Sequence, residues 1–189
     1  MIKERPILFA DAMVRALLDG SKTQTRRVVK PQPIADSRFV GEAPYVGLAC
    51  PHGKTGDRLW VRETHYIIGE GNQYFYRATG GFSQHKEFDE ANGNTPLVWA
   101  GPWKPSIFMP RAACRTLLEI TSVRVERLQD ISEADALAEG CKPNYLPNRA
   151  YEDQPYRSGF VSLWQGINGH GSWAANPWVW VIEFKRVKP

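Results

Sequence analysis

The sequence predicts an α+β fold, a small mixed β-barrel with two to three flanking helices and long loop insertions. Three observations predict it. Five or six segments carry the alternating or continuous apolar pattern of strands, two or three carry helical spacing, and consecutive strands are often joined by hairpin-like turns. At 189 residues, with 42% hydrophobic and 23% charged residues, the chain lies in the globular range and is long enough to bury a core. A single domain over 1–189 is the simplest organisation.

RPILF at 5–9 reads as a short apolar strand. ADAMVRALLDG at 10–20 predicts a helix, with Met13, Val14, Leu17 and Leu18 on one face and Gly20 as its stop. TQTRRVVK at 23–30 is rich in β-branched residues and predicts an extended segment that ends at Pro31 and Pro33. Residues 31–56 have little regular pattern and predict a long surface connection. DRLWVRE at 57–63 sets Leu59 and Val61 against Arg58, Trp60 and Arg62, the period-2 pattern of a two-faced strand. THYIIGEGNQYFYRA at 64–78 predicts a hairpin turning in Gly69–Asn72, and 79–106 a Gly-rich polar flap.

RTLLEITSVRVERL at 115–128 is the longest strand candidate, a length that suits a curved sheet. In DISEADALAEG, Ser132 followed by Asp135 is a capping-box-like helix start, and Gly140 is its stop. PYRSGFVSLWQGING at 155–169 predicts an amphipathic helix with Phe160, Leu163, Trp164 and Ile167 on one face. PWVWVIEFKRV at 177–187 is nearly continuously apolar, as a buried strand requires. There are no internal repeats.

Composition narrows the function. No apolar run approaches the roughly 18 residues of a membrane span, and MIKERPILFADAM lacks the uncharged core of a signal peptide, so a cytoplasmic protein is expected. Cys50, Cys114 and Cys141 are widely spaced and form no CxxC pair, which predicts free thiols. Cys50 and His52 find no metal-motif partners among His65, His85 and His170, and GKTGD at 53–57 lacks the spacing of a phosphate loop. No metal or cofactor is expected.

The net charge of +4 is local: residues 1–30 hold seven Lys/Arg against three Asp/Glu, and the remainder is balanced. Lys22, Arg26, Arg27 and Lys30 share a stretch without an acid, which fits an anionic partner or an ordinary solvated basic face. GSKTQTRR at 20–27 is the densest polar segment. A threonine nucleophile needs a base, and a lysine serves when burial or neighbouring cations such as Arg26 and Arg27 favour its neutral form. In a regular strand Lys22 and Thr25 would face opposite ways, so their cooperation requires irregular backbone near Lys22. Glu139, in the last turn of its helix, sits where the helix dipole disfavours a carboxylate and a cation opposite would offset it. Glu63, which ends the DRLWVRE strand after Arg62, is another acid that could turn into a pocket. Trp60 is the tryptophan best placed on a polar face to stack on a base.

The order ILF, helix, GSKTQTRR, GDRLWVRE, long strand, ISEADALAEG and WVWVIEFKRV resembles the ASCH domain family, a PUA-like β-barrel group associated with RNA. Over most of its length it is similar to the phage and prophage branch, whose members carry extended loops and a tryptophan-rich C-terminus. The resemblance implies a nucleoside or RNA partner held in a cleft beside the barrel. One bacterial branch removes the acetyl group of N4-acetylcytidine with a lysine, a threonine and a glutamate. By that resemblance Lys22, Thr25 as nucleophile, and Glu139 match the triad, and Arg27 matches the arginine after the threonine. Arg26, Arg27, Arg62 and Glu63 would contact substrate or nucleic acid, and Trp60 or Tyr66 would stack on the base. The insertions at 31–56, 79–106 and 141–176 depart from that branch. A non-catalytic RNA or modified-base binding module, and a ribonuclease, are the alternative readings.

Overall fold

The computed structural model describes residues 2–32, 49–68, 73–80, 103–145 and 153–188. The turn expected at Gly69–Asn72, most of the 31–56 connection and most of the 79–106 flap lie outside the described residues. Among the described residues, seven strands and three α-helices follow in the order β1 (Glu4–Leu8), α1 (Asp11–Asp19), β2 (Gln24–Val28), β3 (Arg58–Arg62), β4 (His65–Ile68), β5 (Gln73–Tyr76), β6 (Leu117–Arg127), α2 (Glu133–Ala138), α3 (Pro155–Asn168) and β7 (Trp178–Val187). Five strands form a mixed sheet in the order β1-β3-β6-β7-β2, and β4 and β5 pair separately. The class is α+β, as the sequence predicts.

β1 and β3 are parallel, and the other ladders are antiparallel. The long β6–β7 ladder shifts register between Ile120 and Ser122, an irregularity of the kind that bends a strand and increases its twist. No backbone ladder joins β1 to β2 among the described residues; there the Arg27 guanidinium reaches across and donates to the Leu8 carbonyl at 2.7 Å.

β7 explains its own sequence. Trp180, Ile182 and Phe184 belong to a core shared with Phe9, Val14 and Leu17, whereas Val179 and Val181 belong to a second core with Phe160, Trp164 and Ala136. A strand buried on both faces needs a continuous apolar run rather than alternation. A third cluster gathers Trp60, Met109, Ala113, Cys114 and Leu117, so β3 is also covered on both sides, with Leu59 and Val61 in the first core.

The α2 cap forms as its sequence requires: the Asp135 amide donates to Ser132 Oγ at 3.0 Å, and the Ser132 amide donates back to Asp135 Oδ2 at 3.3 Å. No helix among the described residues is long and apolar enough to cross a membrane.

Leu118 is fully buried in the first core, whereas Leu137 on α2 is 47% exposed. Leu118→Ala is expected to cost about 2–5 kcal/mol of unfolding free energy and Leu137→Ala less than about 0.5 kcal/mol. Urea titration of both variants checks the contrast.

Candidate functional site

The site begins where α1 stops. Gly20 takes the left-handed conformation (φ 84°), and the Ser21 amide and hydroxyl both donate to Asp19 Oδ1, at 2.9 and 2.6 Å. Lys22 then forms an isolated antiparallel bridge with Glu139 before β2 starts at Gln24. This is the irregular backbone that cooperation between Lys22 and Thr25 requires.

Lys22 Nζ donates to Glu139 Oε2 at 2.9 Å, to the Glu139 carbonyl at 2.8 Å and to the Gln24 carbonyl at 2.8 Å. The two side chains are 0% and 5% exposed. Arg26, also fully buried, holds the other side of the carboxylate (Nη1 to Oε1, 3.4 Å) and meets Glu126 at 3.1 Å and Asp135 at 3.4 Å. Arg124 ties Glu126 to Asp135 and Glu183. Lys22 and Arg26 of the basic stretch are therefore matched by acids inside the fold, whereas Lys30 is exposed.

Gly140 makes the approach between α1 and α2 close. It has φ 74°, and a Cβ there would lie 2.9 Å from Ala16 Cβ and 3.0 Å from Lys22 Cβ, so a side chain would push α1 and the Lys22 backbone away from Glu139.

A cavity of about 410 Å³ opens beside this pair. Thr25, Arg26, Arg27 and Glu139 line one wall, and Phe160, Leu163, Trp164 and Ile167 of α3 line another. Thr64, Ser106 and Asn168 add polar groups, and the Arg77–Asp11 ion pair lies at its edge. Among the described residues the Thr25 hydroxyl makes no hydrogen bond. Arg27 lies over the Phe9 ring at 5.2 Å, and its Nε is buried without a partner. Burial pulls the Arg27 guanidinium below its ordinary value, and the Glu139 carboxylate opposes that shift.

The structure lines one cavity with Thr25, Arg26, Arg27 and Glu139, bonds Lys22 to Glu139, and sets the other expected site residues apart. Trp60 is 8% exposed in the third core cluster, with the Arg62 guanidinium over its ring at 4.6 Å. Glu63 is fully buried and held by Arg115 at 2.6 and 3.0 Å. Tyr66 is 1% exposed, stacked on Phe75 at 5.1 Å and edge-on to Trp103 at 4.7 Å. Neither Trp60 nor Tyr66 presents a free face for a base, because 3₁₀ turns and the β4–β5 hairpin cover what a lone strand would leave polar. The aromatic walls come instead from Phe9, Phe160 and Trp164. The amphipathic pattern of 155–169 was the available signal for the last two.

Burial raises Cys50 and Cys114 above the usual thiol range and pushes Cys141 up to about 12, with the Glu139 carboxylate adding to the shift. Among the described residues no group of three His, Cys, Asp or Glu side chains is arranged to hold a metal ion.

No protein-family model matches the chain, and no curated protein matches it. Two solved structures are similar to it. One is a DUF984 protein of Enterococcus faecalis, at 12% identity and TM-score 0.40, covering 100% of this chain and 82% of that one. The other is an ASCH domain of Lactobacillus crispatus, at 13% identity and TM-score 0.41, covering 99% of this chain and 81% of that one.

Two predictions follow from this geometry. Glu139→Ala leaves Lys22 and Arg26 charged and buried, and is expected to cost about 3–5 kcal/mol; Lys22→Met combined with Glu139→Leu should recover a large part of that loss in chemical denaturation. His52 is lowered to about 4 by burial, then by the charges of Arg27 and Arg5. The unfolded chain therefore binds the proton first, and stability falls as pH drops from about 6.5 through 4. His52→Gln should flatten that part of the stability profile.

Proposed function

We propose that the chain is an ASCH protein of the phage and prophage type that acts as an amidohydrolase, removing an acyl group from N4-acylated cytidine with Thr25 as nucleophile. The observation that carries this reading is the water-excluded Lys22–Glu139 pair, 2.9 Å across, beside a threonine hydroxyl that is unbonded among the described residues and lines a 410 Å³ cavity. A cavity with an aromatic and aliphatic wall facing Arg26, Arg27 and the Glu139 carboxylate suits a planar base carrying a polar acyl group.

The proton inventory sets the order of events. As an ammonium, Lys22 has all three protons committed to acceptors, so it becomes a base only after passing one to Glu139 across their hydrogen bond. The Lys22 amine then takes the Thr25 proton as Oγ1 attacks the acyl carbon, and Arg27 stabilises the oxyanion. Collapse breaks the C–N bond, the proton held by Glu139 goes to the departing cytidine amine, and water hydrolyses the acyl-threonine.

The same three hydrogen bonds also favour a second reading, in which Lys22 stays an ammonium and the cleft only binds a modified base or RNA. Incubation with N4-acetylcytidine and chromatography of released cytidine separates them. The amidohydrolase reading predicts turnover that falls more than about 100-fold in Thr25→Ala, with the folded state checked by circular dichroism. Undiminished turnover in that variant refutes it, and absence of turnover in the wild type favours the binding module.

A further inference from the structure

α3 carries more apolar surface than the core covers. Phe160 and Trp164 are 3% and 6% exposed in the second core, whereas Leu163 is only partly buried and Ile167, one turn on, is 59% exposed. Residues four apart lie on one side of a helix, so Leu163 and Ile167 form an uncovered edge of the apolar stripe, and both line the first cavity. Met13 of α1, also partly buried, lines the same cavity from the other helix.

A second cavity, about 650 Å³, is lined by α1, by α3 and by the segment 140–144. Ala12 and Ala16 contribute from α1, Ser162 from α3, and Leu137, Cys141 and Pro143 from the end of α2 and the chain after it. Its charged groups, Arg15, Asp19 and Lys142, are all exposed. Met13 and Leu163 line both cavities, so these two side chains form the partition between them. Methionine is unbranched and adapts its shape readily, which makes it a partition that an apolar chain can displace. The backbone itself crosses between Glu139, which lines the first cavity, and Gly140, which lines the second. The carboxylate bonded to Lys22 therefore stands where the two cavities adjoin.

We propose that the second cavity receives the acyl tail of the substrate, so that the preferred substrate is a cytidine N4-acylated with an apolar chain of medium length rather than with acetyl. The inference rests on the amidohydrolase reading of the first cavity. The base and the acyl carbon occupy the first cavity, and the tail passes between Met13 and Leu163 toward Leu137 and Pro143. Thr25 Oγ1 forms an ester with the acyl carbon as the C–N bond breaks and the amine leaves with its proton. Water then releases the carboxylic acid and restores the hydroxyl, so the tail adds binding and leaves the chemistry unchanged. Acetyl has a single methyl beyond its carbonyl and no atoms to place past the partition.

The test compares kcat/KM for N4-acetylcytidine and N4-hexanoylcytidine. Each methylene withdrawn from water is worth about fourfold, and such binding energy raises kcat/KM. The hexanoyl substrate should therefore be favoured by more than about tenfold. Ala12→Phe and, independently, Ser162→Phe place a ring in the second cavity from opposite helices, at positions that are both exposed. Either variant, with folding checked by circular dichroism, should bring the two substrates within about threefold of each other. Equal kcat/KM in the wild type, or a preference that survives both variants, overturns the inference, and acetyl turnover in that case leaves the amidohydrolase standing. With no turnover of either substrate, calorimetric titration of the two intact compounds decides. Hexanoyl binding more than about tenfold tighter than acetyl, and weakened in Ala12→Phe, keeps the acyl site while the amidohydrolase reading falls; equal binding removes both.

Discussion

The buried pair between Lys22 and Glu139 is the constraint on which the rest of the site depends. It joins residues 117 positions apart in the chain and welds the exit of α1, the entry of β2 and the end of α2 at one point. A buried ion pair returns its desolvation cost only when its remaining protons and lone pairs are also matched. Here the Gln24 carbonyl, the Glu139 carbonyl and Arg26 supply those matches. Satisfying Lys22 sets the backbone at 22–24, and that backbone puts Thr25 at the second residue of β2, against the cavity.

The wider charge network follows from the same need. Arg26 brings a second cation beside Glu139, and Glu126 and Asp135 answer it, with Arg124 and Glu183 beyond. This alternation of sign keeps a cluster of charges stable with little solvent. Arg27 forms no ion pair among the described residues and reaches from the cavity to the β1 carbonyl. On the far side, α3 is held by apolar contacts to β7 and contributes the aromatic wall. The cavity thus lies between a charged layer and an apolar one, as a ligand with a flat apolar body and a polar substituent requires.

Much of this was legible in the sequence because its signals are local. Alternation marked β3 and β6, the continuous run marked β7 as buried on two sides, and Ser132 with Asp135 marked the start of α2. The segment at 20–27 was legible as chemically dense, and the need for a backbone break near Lys22 followed from strand geometry. The burial of Trp60 and Tyr66 was not legible for a physical reason: alternation shows that a strand has two faces and is silent on whether a later segment covers the second. Met109, Ala113 and Leu117 cover it for Trp60. The depth of Lys22 and Arg26 was equally invisible, since their acids come from β6 and α2, far along the chain. The basic excess fitted an anionic partner or a solvated face, and the fold turns Lys22 and Arg26 of it inward.

The central claim is that this pair activates Thr25, and the most direct measurement is mass spectrometry of protein quenched in acid during its first turnover of N4-acetylcytidine. The account predicts an acetyl group on the peptide containing Thr25 in the wild type and none in Glu139→Gln, although that variant keeps the threonine. Acetyl found on another residue, or equal labelling of Thr25 in both proteins, would contradict it.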